Sequence, residues 1–455
     1  MTKSKHSEIK DFTQGNLTAL LIKFAIPMLL SGLMMVLLNS VDLVVVGYKL
    51  GEIGTSAVSI GGSVAMFLNA FIGGFSSAAQ VIIAMMIGAG EKRKISKFVC
   101  TVCGFIFIVA IISMCVMIPL TDTMLRLLNT PSESYQGAFE YSRICLFGII
   151  PIYAYHIISA IVRGMGDSKH PFIFIATACG LNMLLDVVFV LGFDMGAGGA
   201  AVATVIAQLV SVIFSVVLII KKRKAFELSI NPKDLIILDK ASLSRFLKLS
   251  VPMAINNSAT QIAGMVISSL INDFGVSVSA FAGIRSNISI TVDIMLGAIA
   301  TSGAMIIGQN IASGKINRAN GTLLRVGIIT VSASLILITA FSVFPIQLFG
   351  IFTKDASVLA IVYPYLPILV FSFITAGIRP VTRALIEGSG NRKINLITAL
   401  FDAIIARIGF ALIFGVWLDF GYLGFWFGAV LAELASIIIG VIFYFSGKWK
   451  GENRV

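Results

Sequence analysis

Long apolar runs separated by short polar breaks make up most of the chain. They lie near residues 17–48, 54–89, 97–121, 136–162, 170–193 and 198–220, then near 246–272, 278–312, 321–347, 357–386, 394–418 and 422–446. About 20 apolar residues carry a helix across the ~30 Å hydrocarbon core of a bilayer, so each run predicts one transmembrane helix, twelve in all. The second and eighth runs are long enough to be tilted, bent or to extend beyond the bilayer. No polar stretch approaches the roughly 50 residues of a compact aqueous domain. The pattern therefore predicts an all-α integral membrane protein.

The second six runs repeat the first six. Lys23-Phe24-Ala25-Ile26-Pro27-Met28 returns as Lys248-Leu249-Ser250-Val251-Pro252-Met253, and Asp194-Met195-Gly196 returns as Asp419-Phe420-Gly421. Arg163-Gly164-Met165-Gly166-Asp167-Ser168-Lys169 returns as Glu387-Gly388-Ser389-Gly390-Asn391-Arg392-Lys393. Six helices per half is an even number, so both halves start on the same side of the membrane. The repeat is then parallel, with its axis along the membrane normal. The expected organisation is an N-terminal lobe over 1–224, a cytoplasmic linker over 225–245 and a C-terminal lobe over 246–455.

Composition agrees with this picture. Of the 455 residues 57% are hydrophobic and only 12% charged, against about 25% charged in ordinary soluble proteins, which excludes a soluble enzyme. A net charge of +12 raises nucleic acid as a partner, but the basic residues are not gathered on one face. They form short clusters between apolar runs, and alternate crossing places 28 of the 34 Lys and Arg on one side. The positive-inside rule makes that side cytoplasmic, with both termini on it. The remaining six are Lys49, Arg126, Arg143 and Lys354 near the opposite face and Arg285 and Arg407 inside apolar runs. The polar stretch Met1 to Gly15 lacks the pattern of a cleaved signal peptide, so the first run is expected to stay as a true span. Five cysteines, Cys100, Cys103, Cys115, Cys145 and Cys179, sit in apolar runs without zinc-type spacing and read as packing residues.

Ionisable residues inside spans cost several kcal/mol and are functional candidates by default. Here they are Asp42, Asp186, Asp293, Asp402, Glu433, Arg285 and Arg407. Asn182 and Asp186 stand at i and i+4, one face of the fifth helix. If the first, fifth and sixth helices are neighbours, Asp42, Asn182, Asp186 and Thr204 supply two carboxylates, an amide and a hydroxyl. Such hard oxygen ligands suit a small cation such as Na⁺. Burial and mutual repulsion equally suit a site that holds a proton in one conformation and loses it in another. The plain alternative is that these side chains only hydrogen-bond between helices, but the one Lys or Arg in those three apolar runs is Lys23, near the start of the first and nineteen residues before Asp42. At the repeat offset the second half has Ile267, Ala406 and Phe410 in place of Asp42, Asn182 and Asp186. Its charged residues, Asp293 and Arg285, Asp402 and Arg407, and Glu433, are expected to form neutralised pairs or to take an accessory part in transport.

Pro27, Asn39 to Asp42 with Gly47, Gln80 with Gly88-Ala89-Gly90, Arg163 to Lys169, Asn182 with Asp186, and Gly196 to Thr204 stand in one ordered frame. In these residues the sequence resembles the multidrug and toxic compound extrusion (MATE) family over nearly its whole length. The resemblance implies a secondary antiporter that exports organic, often cationic, compounds in exchange for H⁺ or Na⁺. It places the family's first-half cation site on Asp42, Asn182, Asp186 and Thr204, with Tyr141 matching a tyrosine of the fourth helix. Some members have a second-half cation site with a Glu in the seventh helix and an Asp in the tenth. Here the seventh has Asn256, Asn257 and Gln261 and the tenth run no internal acid, which argues against a second-half Na⁺ site.

The expected protein is thus a monomeric, multi-pass transporter of the plasma membrane that handles small organic substrates among membrane lipids. It has no cofactor beyond the coupling ion, no metal beyond Na⁺ at the first-half site and no nucleic acid partner. The alternative is a flippase of the same superfamily for lipid-linked oligosaccharides or another lipid, which needs a cationic cleft; Arg285 and Arg407 keep that reading open. A membrane-embedded enzyme would want paired carboxylates, or a histidine with a carboxylate, near the bilayer surface. His6 lies in the tail, and His156 and His170 have no obvious partner in the sequence, so catalysis is not expected.

Overall fold

The computed structural model describes residues 9–128, 130–229 and 232–450. His6, part of the tail before Gly15 and residues 451–455 lie outside them. The described chain is helical, as a lipid-exposed backbone must be, because in hydrocarbon each N–H and C=O has to find its partner within the segment. One helical stretch, Leu17–Gly88, is broken at Gly51, whose φ of 63° lies in the left-handed region. We number its two parts α1 (17–50) and α2 (52–88). There follow α3 (Lys92–Leu127), α4 (Ser132–Phe147 and Ile149–Gly164, bent by 51° at Gly148) and α5 (Lys169–Asp186, continued as a π-helix over Val187–Gly192). The sixth is α6 (Gly196–Lys222). The second half comprises α7 (Lys240–Asn272), α8 (Val276–Ala312), α9 (Ile316–Val343), α10 (Val362–Gly388), α11 (392–417, with π turns at Phe401–Ala406 and Ile413–Trp417) and α12 (Gly421–Phe445). These twelve segments match the twelve apolar runs.

The repeat is written into the backbone. Ten of the thirteen left-handed φ values among the described residues fall in pairs: Gly51 and Gly275, Gly90 and Gly314, Gly166 and Gly390, Asp194 and Asp419, Gly196 and Gly421. Gly164 and Gly388 mark equivalent close approaches. A Cβ on Gly164 would lie 3.0 Å from the Gln80 carbonyl oxygen, and one on Gly388 would lie 2.6 Å from that of Ala304. Any larger residue would push α4 off α2, or α10 off α8. The glycine pattern of the Arg163 and Glu387 loops is therefore a packing requirement as well as a turn.

Two compact units result, Met1–Asp11 with Ile26–Ser250 and Phe12–Ala25 with Val251–Val455. The start of α1 thus belongs to the second unit, where Phe12 meets Phe24 edge-on at 5.5 Å and Lys315 donates to the Thr13 carbonyl at 2.9 Å. In the first unit Phe246, at the start of α7, packs among Phe75, Phe98 and Phe105. The second unit is centred on Phe281, Phe349, Tyr365 and Trp426, with Phe281 within 5.4 Å (ring centroids) of the other three. Outer faces are apolar, with Phe107, Ile112, Leu324, Ile336 and Ile442 more than half exposed. In water such a surface would aggregate; lipid is its matching solvent.

Candidate functional site

In the first unit, three helices bring Asp42, Asn182, Asp186 and Thr204 together. Small residues make the approach possible, for Ala197, Ala200 and Ala201 of α6 are completely or almost completely buried against the unit's core. Thr204 stands eight residues into α6, about 12 Å along its axis. The helix end at Gly51 is nine residues beyond Asp42, a similar distance. The π-helix that follows Asp186 adds an extra residue per turn at this depth, a distortion often found at functional positions.

Every member is buried: Asp42, Asn182 and Asp186 are inaccessible, and Thr204 and Tyr141 are 8% and 5% exposed. Tyr141 donates its hydroxyl to Asp42 Oδ2 at 2.7 Å, and Thr204 donates to the same oxygen at 3.0 Å. Asn182 Nδ2 donates to Asp42 Oδ1 at 3.2 Å and to Thr204 Oγ1 at 3.1 Å, with Asp186 Oδ1 at 3.5 Å. Two acceptors have no partner, Asn182 Oδ1 and Asp186 Oδ2. Among the described residues no Lys or Arg pairs with either carboxyl. A buried polar atom without a partner is costly, and two carboxyls without a counter-charge more so. The cluster borders a cavity of about 270 Å³ through Tyr141 and Thr204, which also has Asn39, Ser59, Asn69 and Gln208 in its wall.

The second unit is built differently. Arg379 of α10 pairs with Asp293 of α8 and, at 3.2 Å, with Glu433 of α12. Glu433 also accepts from Thr375 at 2.8 Å. Asp402 pairs with Arg407 within α11 at 3.4 Å, while Arg285 lies over the Trp426 ring at 5.8 Å. The expected pairing of charges is present, but Asp293 takes Arg379 rather than Arg285. Arg379 was not among the charged residues expected inside the spans. It lies nine residues from the end of α10 (Val362–Gly388), about 13 Å along the axis.

Of the two histidines without an evident partner in the sequence, His170 differs from expectation and His156 does not. Asp167 receives the backbone N–H groups of Lys169 and His170 at 3.0 and 3.2 Å and contacts His170 Nδ1. His170 therefore has a partner, and the Arg163 to Lys169 loop caps α5. His156 packs edge-on against Tyr155, its Nε2 buried without a partner.

The MatE family model matches residues 27–188 and again 252–413, two blocks displaced by the same 225 residues as the repeat. Among curated proteins, the probable multidrug resistance protein YpnP of Bacillus subtilis is 27% identical over 446 residues, 97% of each chain. The probable multidrug resistance protein NorM of Thermotoga maritima is 25% identical over 438 residues, 94% of this chain and 92% of its own. Among solved structures, a MOP superfamily transporter from Pyrococcus furiosus superposes with a TM-score of 0.88 at 23% identity, covering 98% of this chain and 99% of its own. The outward-facing form of a MATE family transporter superposes with a TM-score of 0.87 at 22% identity, over 97% and 98%. Both likenesses are to the whole two-lobed fold. With both halves of the chain matched in register with its internal repeat, the protein belongs to the MatE family.

Proposed function

We propose that this protein exports organic compounds, many of them cationic, in exchange for H⁺ or Na⁺ entering at Asp42, Asn182, Asp186 and Thr204. The observation that carries this reading is the pair of buried carboxyls with two unpartnered acceptor atoms and no fixed counter-charge. Tyr141 and Thr204 hold Asp42 and also line the adjoining cavity, so loading the site with a cation and changing the cavity wall are linked events. The names of the curated relatives, multidrug resistance and multidrug export proteins, point to the same cargo. The basic clusters Lys92-Arg93-Lys94 and Lys221 to Lys224 support cytoplasmic termini in the plasma membrane.

The flippase reading rests on Arg285 and Arg407. Arg407 is engaged by Asp402, whereas Arg285 lies over Trp426 with no carboxylate partner among the described residues. The antiporter reading is therefore carried by the acidic cluster of the first unit rather than by these arginines. Ethidium extrusion from energised cells tests the choice. Asp42→Asn should reduce extrusion at least about a hundredfold, the scale of about 2.7 kcal/mol lost at a charged site, with the protein still inserted in the membrane. Extrusion at the wild-type rate by that variant would overturn the assignment.

A further inference from the structure

On its outer face the second unit has a groove of about 540 Å³ between α9 and α12, floored by α10. Leu324, Ile328 and Val331 form one wall and Val441 and Phe445 the other, with Thr382 in the floor. Gly327 and Gly440 keep it open and deep: no side chain stands at Gly327, and a Cβ on Gly440 would lie 2.3 Å from that of Thr382. From Asn320 to Val331 the groove follows eleven residues of α9, about 16 Å. That is half of the ~30 Å hydrocarbon core, the depth of one leaflet.

The end at Asn320 is polar and cationic. Asn320 Oδ1 is buried without a partner. Tyr444, in the groove wall, stacks on Trp449 at 5.8 Å with 12° between the rings, and Lys450 lies 5.9 Å over Trp449. Tyr444 is exposed, and such a ring at a helix end marks the headgroup level, with Trp449 buried behind it. The other cations of this end are committed: Lys315 to Thr13, Arg318 to Gly15 and Phe12, and Arg325 to Thr18. Lys448 and Lys450 are exposed and have no carboxylate partner among the described residues.

We propose that this groove is a specific site for an anionic phospholipid of the phosphatidylglycerol type. One acyl chain fills the groove and the phosphate meets Lys448 and Lys450, at the end marked by Asn320. Each lysine near a headgroup adds attraction of the order that separates anionic from zwitterionic lipid, and the groove's one-leaflet length fits a single chain. The site depends on the chain spanning a bilayer but not on the antiport reading.

The test is native mass spectrometry of detergent-purified protein with synthetic phosphatidylglycerol, phosphatidylethanolamine and phosphatidylcholine of identical acyl chains. Phosphatidylglycerol should be retained at least about tenfold over phosphatidylcholine. The double variant Lys448→Gln, Lys450→Gln should abolish that preference, and Ile328→Trp should lose the bound lipid by filling the groove. Melting in lipid-free detergent identifies the folded variants, and Leu324→Trp, at a more exposed groove position, replaces Ile328→Trp if the latter fails to fold. Equal retention of the three lipids by the wild type, or wild-type retention by a folded groove-filling variant, would overturn the proposal.

Discussion

Asp42 and Arg379 show two solutions to the same electrostatic problem. A carboxyl within a span is expensive unless a positive charge accompanies it. Around Asp42 and Asp186 the described residues provide only neutral donors, Tyr141, Asn182 and Thr204; in the proposed function the positive charge comes and goes. Around Asp293 and Glu433 it provides Arg379, tethered to the chain. Replacing Arg379 by Gln leaves two acids without their cation. Breaking a buried pair costs about 3–5 kcal/mol, less here because Arg379 is a quarter exposed. Arg379→Gln should lower the melting temperature in detergent by several degrees, with partial recovery in the double variant Arg379→Gln, Glu433→Gln. Asp42 was legible in the sequence because the one basic residue of its run, Lys23, stands nineteen residues away. Arg379 was not, since a run that ends in a basic loop does not show where the loop begins.

Helix packing imposes its own tests, because glycines at crossings and glycines in open positions look alike in a sequence. A Cβ on Gly424 would lie 2.2 Å from the Phe414 carbonyl oxygen, whereas one on Gly180 meets nothing within 4 Å. Gly424→Val should destabilise by at least about 1–3 kcal/mol through overpacking. Gly180→Ala should be neutral or stabilise by about 0.5–1 kcal/mol; thermal melting in detergent separates them. The start of α7 gives a pH test. The Lys97 ammonium, 2.8 Å away, and the Ser242 backbone N–H hold the Asp239 carboxyl down to about 2, below its ordinary value of 3.8. Its stabilising contribution is complete above about pH 3.8 and is lost as the pH falls through about 2. The protection factor against hydrogen exchange at the α7 start should therefore be the same at pH 5 and pH 7, and Asp239→Asn should lower it at both. Helix existence and register were readable from the apolar runs, and the turns from Asp194-Met195-Gly196 and its repeat. The bend at Gly148 and the π turns of α5 and α11 were not, because an apolar run has the same composition whether its backbone is regular or not.

At the scale of the whole molecule, the repeat makes two similar lobes and the side chains make them unequal. One carries carboxyls without counter-ions and the other carries neutralised pairs. The two-lobed architecture was legible because an even helix count and a constant offset leave little choice. The assignment of residues 12–25 to the second unit was not, since hydropathy is indifferent to which lobe buries Phe12 and Phe24. If a mobile cation at Asp42 and Asp186 is coupled to cargo, the coupling must run both ways. Counterflow in proteoliposomes tests this most directly. With no ion gradient imposed, an ethidium gradient should drive H⁺ or Na⁺ in the opposite direction, and Asp42→Asn should abolish both fluxes. Ethidium movement without a counter-ion, or unchanged coupling in Asp42→Asn, would contradict it.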